Sequence, residues 1–183
     1  MRVIIAIILL GITIVGCSKQ QPRKPKSKTD NTFIKESIER NKILIAEEEK
    51  LIEAIIEKDT LQQYIASTKG YWYKYENKVE AESPLAQKGD IAYFEYEVRD
   101  LDNKIIYTKE ELKLQEYYVD KENIMMGLRD GIKLMKKGES ITFIFPSHMG
   151  YGYHGDNNKI STNEPLICTV TLTDLKKDPK PKN

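Results

Sequence analysis

The sequence predicts an α+β protein: an antiparallel β-sheet wrapped around one short helix, preceded by an N-terminal amphipathic helical segment. Three observations carry this. Apolar and polar residues alternate from Ile91 to Arg99 and from Leu166 to Thr173, the period of a half-buried strand. Between those strands only Met125 to Lys136 has helical spacing. Upstream, no proline or glycine interrupts the chain from Lys26 to Lys69. The composition fits a globular chain. Of 183 residues, 40% are hydrophobic and 31% charged, which excludes multi-span membrane proteins, collagens and disulfide-dense miniproteins. A formal charge of +1 gives no reason to expect nucleic acid as a partner. Two cysteines and two histidines are too few for a zinc site at their spacing, and no motif asks for a metal or cofactor.

The first residues read as an address. Met1-Arg2 precedes an apolar run from Val3 to Val15. That is shorter than the roughly 20 residues of a membrane-spanning helix and suits the core of a secretory signal. Ile14-Val15-Gly16-Cys17 resembles the bacterial lipobox, in which cleavage precedes a cysteine that then carries lipid. Residues 1–16 are therefore expected to be a lipoprotein signal peptide. Lipid on Cys17 would anchor the protein to the cell membrane or outer membrane, on the periplasmic side. Cys168 is then a lone thiol, best buried in an oxidising compartment. Residues 17–30 hold five basic side chains against Asp30, with Pro22 and Pro25, as a basic flexible linker beside a lipid surface would. Residues 177–183 read as a disordered tail. Between these ends, Asn31 to Leu175 carries 19 basic and 26 acidic residues, about −7 in charge.

Residues 31–67 form the expected helical segment. Ile34, Ile38, Ile45, Ile52 and Ile55 or Ile56 recur at helical spacing, with Leu44 and Leu51 alongside. Asp30, Asn31 and Thr32 are suited to cap its start. At Asp59-Thr60 it either breaks, to begin a second short helix through Leu61, Tyr64 and Ile65, or runs on to Ser67. The apolar stripe needs a cover, which is either the following domain or a second copy in a homodimer. Glu47-Glu48-Glu49 reads as a solvated helix face.

Residues 70–176 form the folded domain. Aromatic alternation in Gly70-Tyr71-Trp72-Tyr73-Lys74-Tyr75 suggests a strand. Pro84 and Lys88-Gly89-Asp90 mark turns. Ala92, Phe94, Tyr96 and Val98 share one face of the next strand. Asp102-Asn103 turns into a return strand over Lys104 to Thr108, and Glu116 to Val119 is another short strand. On the helix, Met125, Leu128, Ile132 and Met135 lie along one side. Ile141, Phe143 and Phe145 then alternate with Thr142 and Ile144. Met149 to Glu164 is a long loop rich in Gly, Asn and Asp. In the last strand Leu166, Cys168, Val170 and Leu172 point one way.

Three segments together resemble the FKBP-type peptidyl-prolyl isomerase family. They are Lys88-Gly89-Asp90 with the strand ending in Tyr96, Asn123 to Ile132 followed by Met135-Lys136-Lys137-Gly138-Glu139, and Pro146-Ser147-His148-Met149-Gly150-Tyr151-Gly152. With the lipobox and the acidic helix upstream, the chain is similar to FKBP-like lipoproteins associated with gliding motility in Bacteroidetes. The resemblance implies an FKBP-like fold and an isomerase acting on X–Pro bonds of protein clients. It implies a pocket whose catalytic members are Tyr96, Ile124, Met125 and Tyr151. The Met125 backbone N–H would donate to a substrate carbonyl, and Tyr151 would donate its hydroxyl. Ile106, Leu128 and Ile160 would bind the substrate. Leu128 would be the floor, where the best-known members have tryptophan, and Ile160 the apolar tip of the long loop. Tyr107 stands where the family usually has an aspartate, Ile106 for a phenylalanine, Met149 for a tyrosine and Cys168 for a core phenylalanine. The pocket is thus expected to be less aromatic and short of one polar contact. Those departures also suit a non-catalytic FKBP-like chaperone or scaffold of an envelope machine.

Such a pocket needs no triad and no metal. Amide resonance sets a rotation barrier of about 18–20 kcal/mol, so X–Pro exchange takes tens to hundreds of seconds unaided. An apolar cup that strips water from the imide favours the twisted, less polar state. Each roughly 1.4 kcal/mol of preferential stabilisation is worth tenfold in rate.

Overall fold

The computed structural model describes residues 31–60, 63–80 and 82–177. The lipobox, Cys17, the basic linker and the last six residues lie outside the described residues, and no helix among those described is long and apolar enough to cross a membrane. The chain falls into two compact units, Met1–Ser37 and Ile38–Asn183. Helix α1 (Asn31–Lys58) begins in the first unit and continues in the second. There follow β1 (Ile65–Ala66), β2 (Trp72–Asn77), β3 (Ile91–Arg99), β4 (Ile105–Tyr107), α2 (Lys109–Leu112) and β5 (Gln115–Tyr118). Helix α3 (Met126–Gly131) is prolonged by a 3-10 turn, Ile132–Leu134, before β6 (Ser140–Phe145) and β7 (Leu166–Lys176). The strands make one antiparallel sheet in the order β1-β2-β6-β7-β3-β4, with β5 also on β3. The α+β expectation, a sheet with one short helix in its core and a helix before it, is what the structure has.

Register assigns the two faces. Tyr73, Phe143, Cys168 and Val98 line up across β2, β6, β7 and β3, and the next row of the same face is Tyr75, Ile141, Val170 and Tyr96. This face buries α3 and forms the core. The other face runs Lys74, Thr142, Thr169, Glu97. It is knitted by hydroxyls: Thr142 meets Thr169 at 3.0 Å and donates to Glu76 at 2.8 Å, and Ser140 meets Thr171 at 3.1 Å.

Strand β6 is buried on both faces, and Ile144 on its outer side is fully covered. Within the second unit Ile52 of α1 is likewise fully buried, and Lys74 of β2 bonds Asp59, just past the end of α1, at 2.7 Å. The back half of the α1 stripe therefore packs on the outer face of the sheet. Its front half is bare: Ile34 and Ile38 are exposed, as is Leu51 off the stripe.

Several sequence expectations are corrected. Of the two alternatives for helix α1, the break at Asp59-Thr60 holds, since it ends at Lys58 and does not run on to Ser67, but among the described residues no second helix covers Tyr64 and Ile65. Ile65 and Ala66 instead pair with Tyr73 and Trp72, because the aromatic strand offers them an open edge; Leu61 lies outside the described residues. Glu48 is not on a solvated face: it is 3% exposed, and both its oxygens accept hydrogen bonds from Ser147. Helix α2 was not expected, although Thr108 and Glu111 have the spacing of the capping box that they form. The long loop contains two 3-10 turns, Ser147–Met149 and Gly152–His154. Lys177 is not part of a loose tail, since its ammonium meets Asp90 at 2.7 Å. Cys168 is buried, and burial pushes its thiol pKa well up, so it stays protonated.

Two glycines set how closely α3 approaches the sheet. A methyl at Gly127 would lie 2.5 Å from the Phe145 ring, and one at Gly131 2.8 Å from that of Phe143. Gly127→Ala gains about 1 kcal/mol of helix propensity but overpacks a rigid, buried ring, at a cost of about 1–3 kcal/mol. Crowding is expected to win. Urea titration should show a lower midpoint at unchanged slope; equal or higher stability would mean that the ring moves aside freely.

Candidate active site

Six of the residues expected to form the pocket lie in or against one apolar cluster. Tyr96, Leu128 and Ile160 belong to the main apolar cluster, and Ile106, Ile124 and Met125 pack against it. Each reaches the site by a different route. Alternation along β3 turns Tyr96 inward, while Ile106 comes from the short return strand β4. Ile124 and Met125 stand at the entrance of α3, whose first turn carries the buried Leu128. Met125 has extended backbone as the residue before the helix. No acceptor among the described residues takes its N–H.

Tyr151 arrives from the loop after β6 and keeps 37% of its surface exposed. Its phenol lies within electrostatic reach of that of Tyr96. Burial raises the Tyr151 pKa, helped by nearby Asp156, and burial raises that of Tyr96 further still. Both phenols stay protonated near neutral pH and act as donors.

Tyr107, which stands where the family usually has an aspartate, meets an acid from elsewhere in the chain. Tyr107, on β4, donates a short hydrogen bond to the carboxylate of Asp156 on the long loop. Asn158 donates to the Tyr107 hydroxyl at 2.9 Å, and the Lys159 ammonium lies 4.7 Å over the Tyr107 ring. The other Asp156 oxygen accepts from the backbone N–H groups of Asn158 and Ile160, each at 2.8 Å. An acid beside the pocket thus comes from the loop, and Tyr107 latches that loop to β4. Sequence reading missed Asp156 because the exchange is visible only once β4 and the loop are side by side. The run Asp156-Asn157-Asn158 was a turn signal and nothing more. His148 and His154 are exposed on the loop.

A cavity of about 340 Å³ also opens on the outer face, near the end of α1. Asp59, Lys74, Glu97 and Arg99 are among its walls, and these are ion pairs. A charged surface of that kind does not suit a proline ring.

Residues 83–173 match the sequence model of the FKBP-type peptidyl-prolyl cis-trans isomerases. This segment of the chain is thus similar to the FKBP-type family. It is 27% identical over 124 residues to a probable FKBP-type isomerase, FkpA, of Neisseria meningitidis, covering 67% of this chain and 44% of that protein. It is 28% identical over 94 residues to human peptidyl-prolyl cis-trans isomerase FKBP9, covering 51% of this chain and 16% of the relative. The chain thus spans less than half the length of these curated relatives. Among solved structures, FkpA from Escherichia coli superposes with a TM-score of 0.60 at 22% identity, covering 84% of this chain and 76% of that one. An isomerase from Pseudomonas syringae gives 0.59 at 18% identity, covering 74% and 96%. At these identities the likeness is one of fold.

The latch sets the pH window of this FKBP-like site. Burial works against the charge on Asp156, but hydrogen bonds from Tyr107 and from the loop N–H groups outweigh it and hold the carboxyl below the usual range. The stabilisation is therefore present above the unfolded value of about 4 and is lost as pH falls through the lower folded value. The raised tyrosines set the upper limit: their protonated forms begin to lose their advantage above the unfolded value of about 10. Amide chemical shifts of Asn158 and Ile160 should be constant between about pH 5 and about pH 9, and should move together below about pH 4. A midpoint near pH 6 would remove Asp156 from the latch.

Proposed function

We propose that this protein is a peptidyl-prolyl cis-trans isomerase for proteins of the bacterial envelope, to which a lipid on Cys17 anchors it. The observation that carries the reading is the apolar cluster of Tyr96, Leu128 and Ile160, with Ile106, Ile124 and Met125 packed against it and the partly exposed Tyr151 on the following loop, in an FKBP-type domain. A proline ring seated over Leu128 brings the imide out of water. The uncharged donors, the Tyr151 hydroxyl and the Met125 N–H, fix the flanking carbonyls while the C–N bond turns. No covalent bond breaks and no proton transfers, which fits a site whose two phenols stay neutral. The likeness of the whole chain to gliding-motility lipoproteins supports clients among exported proteins of that kind.

The test is cis–trans exchange of a short X–Pro peptide, followed by NMR. The wild-type protein should accelerate exchange, and Tyr151→Phe should cut the acceleration by about tenfold, the worth of one hydrogen bond of roughly 1.4 kcal/mol. Met125→Ala should weaken it by opening the pocket wall. A folded wild-type protein that leaves the rate unchanged would make the domain a binding module. The less aromatic pocket, with Leu128 and Ile106, is the feature favouring that second reading.

The anchor and the bare half of α1 are tested together. We take a second copy of this chain as the partner that covers Phe33, Ile34 and Ile38 of α1, which are 66%, 45% and 50% exposed. A chain beginning at Ser18 behind an ordinary secretory signal should be recovered in the soluble fraction, where light scattering should give twice its mass, whereas the full chain should stay with the membrane. Recovery of the full chain in the soluble fraction would refute the lipid anchor, and a monomer at high concentration would refute the pairing.

A further inference from the structure

Glu48 is the anomaly of the molecule: an acid in the middle of an acidic run that is nonetheless buried. An acidic side chain without water is costly unless donors meet it. Two do, and both belong to one residue. The Ser147 N–H donates to one oxygen at 2.8 Å and the Ser147 hydroxyl to the other at 2.6 Å.

Ser147 has reason to need this partner. It opens the 3-10 turn Ser147–Met149, and its backbone N–H is one of the unpaired donors at the start of that turn. The residue before it is Pro146, whose side chain offers no acceptor and makes no cap. Ser147 itself is 2% exposed, so water cannot serve. Glu48 therefore caps the turn from across the molecule. The turn is closed by Met149 N–H to Pro146 at 2.9 Å and Gly150 N–H to Ser147 at 3.0 Å, and Tyr151 follows at once. A methyl added at Gly150 would meet Leu166 at 3.3 Å, so the chain passes close to β7 here. Only three residues separate Ser147 from Tyr151. Ser147 lies within the family-matched residues 83–173, whereas Glu48 lies outside them, on the helix that precedes the domain.

We propose that Glu48 is a positioning residue for the isomerase site: helix α1 sets the place of Tyr151 by capping the turn from which its loop departs. The inference rests on the isomerase reading above and deepens it. It makes the helix part of the machinery, since a domain without it would leave Ser147 uncapped and Tyr151 displaced. A misplacement of about 1 Å at a reacting geometry can cost up to a hundredfold in rate, so partial loosening of this cap should be visible.

The experiment uses the full chain with Glu48→Gln, Ser147→Ala, the double variant and, as control, Glu47→Gln on the exposed side. X–Pro exchange at saturating protein, peptide Kd and amide hydrogen exchange of Tyr151 and Gly152 are measured well below each variant's Tm. Glu48→Gln and Ser147→Ala should each slow catalysed exchange by about threefold to tenfold, with Kd within about twofold of wild type and faster hydrogen exchange at Tyr151. The double variant should be no worse than the poorer single, because the two side chains act as one unit. Glu47→Gln should match wild type. Unchanged rates and unchanged protection at Tyr151 would overturn the proposal, as would strictly additive losses. A parallel loss of Kd and Tm would also overturn it, because a merely structural role predicts that. If Glu48→Gln does not fold, Ser147→Ala, which keeps the backbone bond, decides. If the wild-type protein shows no isomerase activity, that reading fails by itself, and protection at Tyr151 still decides whether Glu48 positions the loop.

Discussion

The rings of Phe143 and Phe145 lie so close to α3 that only glycine fits at positions 127 and 131. Much of the site depends on that approach. It fixes how deep α3 sinks into the sheet, and hence where Leu128 and Met125 sit. The two rings stack at 5.3 Å between centroids and are met edge-on by Tyr71, whose hydroxyl donates to Asp130 on the same helix at 3.2 Å. Strand β6 thus clamps α3 from below, and Tyr71 ties it from the side. Because β6 alternates, the same strand presents Thr142 and Ile144 to the outer face, where α1 packs. One strand therefore sets the position of both helices, and its last residues lead directly into the loop that carries Tyr151.

That loop is long, and a long loop over an apolar cup would be loose if only its ends held it. Here polar clamps act along it. Glu48 caps its first turn, Tyr107 and Asn158 hold Asp156 against β4, and Glu164 accepts from the Ser161 N–H at its far end. Ile160 is buried between the last two clamps. The side chains that fix the loop reach it from α1 and β4 as well as from the loop itself, so its conformation reports on the seating of elements distant in sequence. An aspartate on the loop and a tyrosine on the strand latch the loop to β4.

What was legible in the sequence is what depends on period and local order. Alternation in Ala92, Phe94, Tyr96 and Val98 reads out the buried face of β3, and the order of the motifs carries the family and the pocket members with it. What was not legible depends on pairing across the fold. The acidic run around Glu48 has the composition of a solvated face, and only the arrival of Ser147 behind Pro146 gives one of its members a reason to be buried. Ile65 and Ala66 have helical neighbours in sequence but an empty strand edge in space, and the edge wins. Asp156 is a turn former by every local rule, and its second role exists only because Tyr107 faces it. In each case a local preference yields to an unsatisfied backbone or side-chain group somewhere else in the chain.

The distribution of charge follows the same logic. The inner face of the sheet holds the phenols of Tyr96 and Tyr151 and the thiol of Cys168, all kept neutral chiefly by burial. The ion pairs of Lys74, Asp59, Arg99 and Glu97 stand on the outer face. A rotating imide loses resonance and becomes less polar, so a full charge in the cup would favour the planar ground state that it must leave. Neutral donors at the rim of an apolar cup orient the chain without that penalty. Asp156, the one acid close to the cup, has its negative charge taken up by Tyr107 and by loop N–H groups, and so shapes the site without acting on the bond that turns.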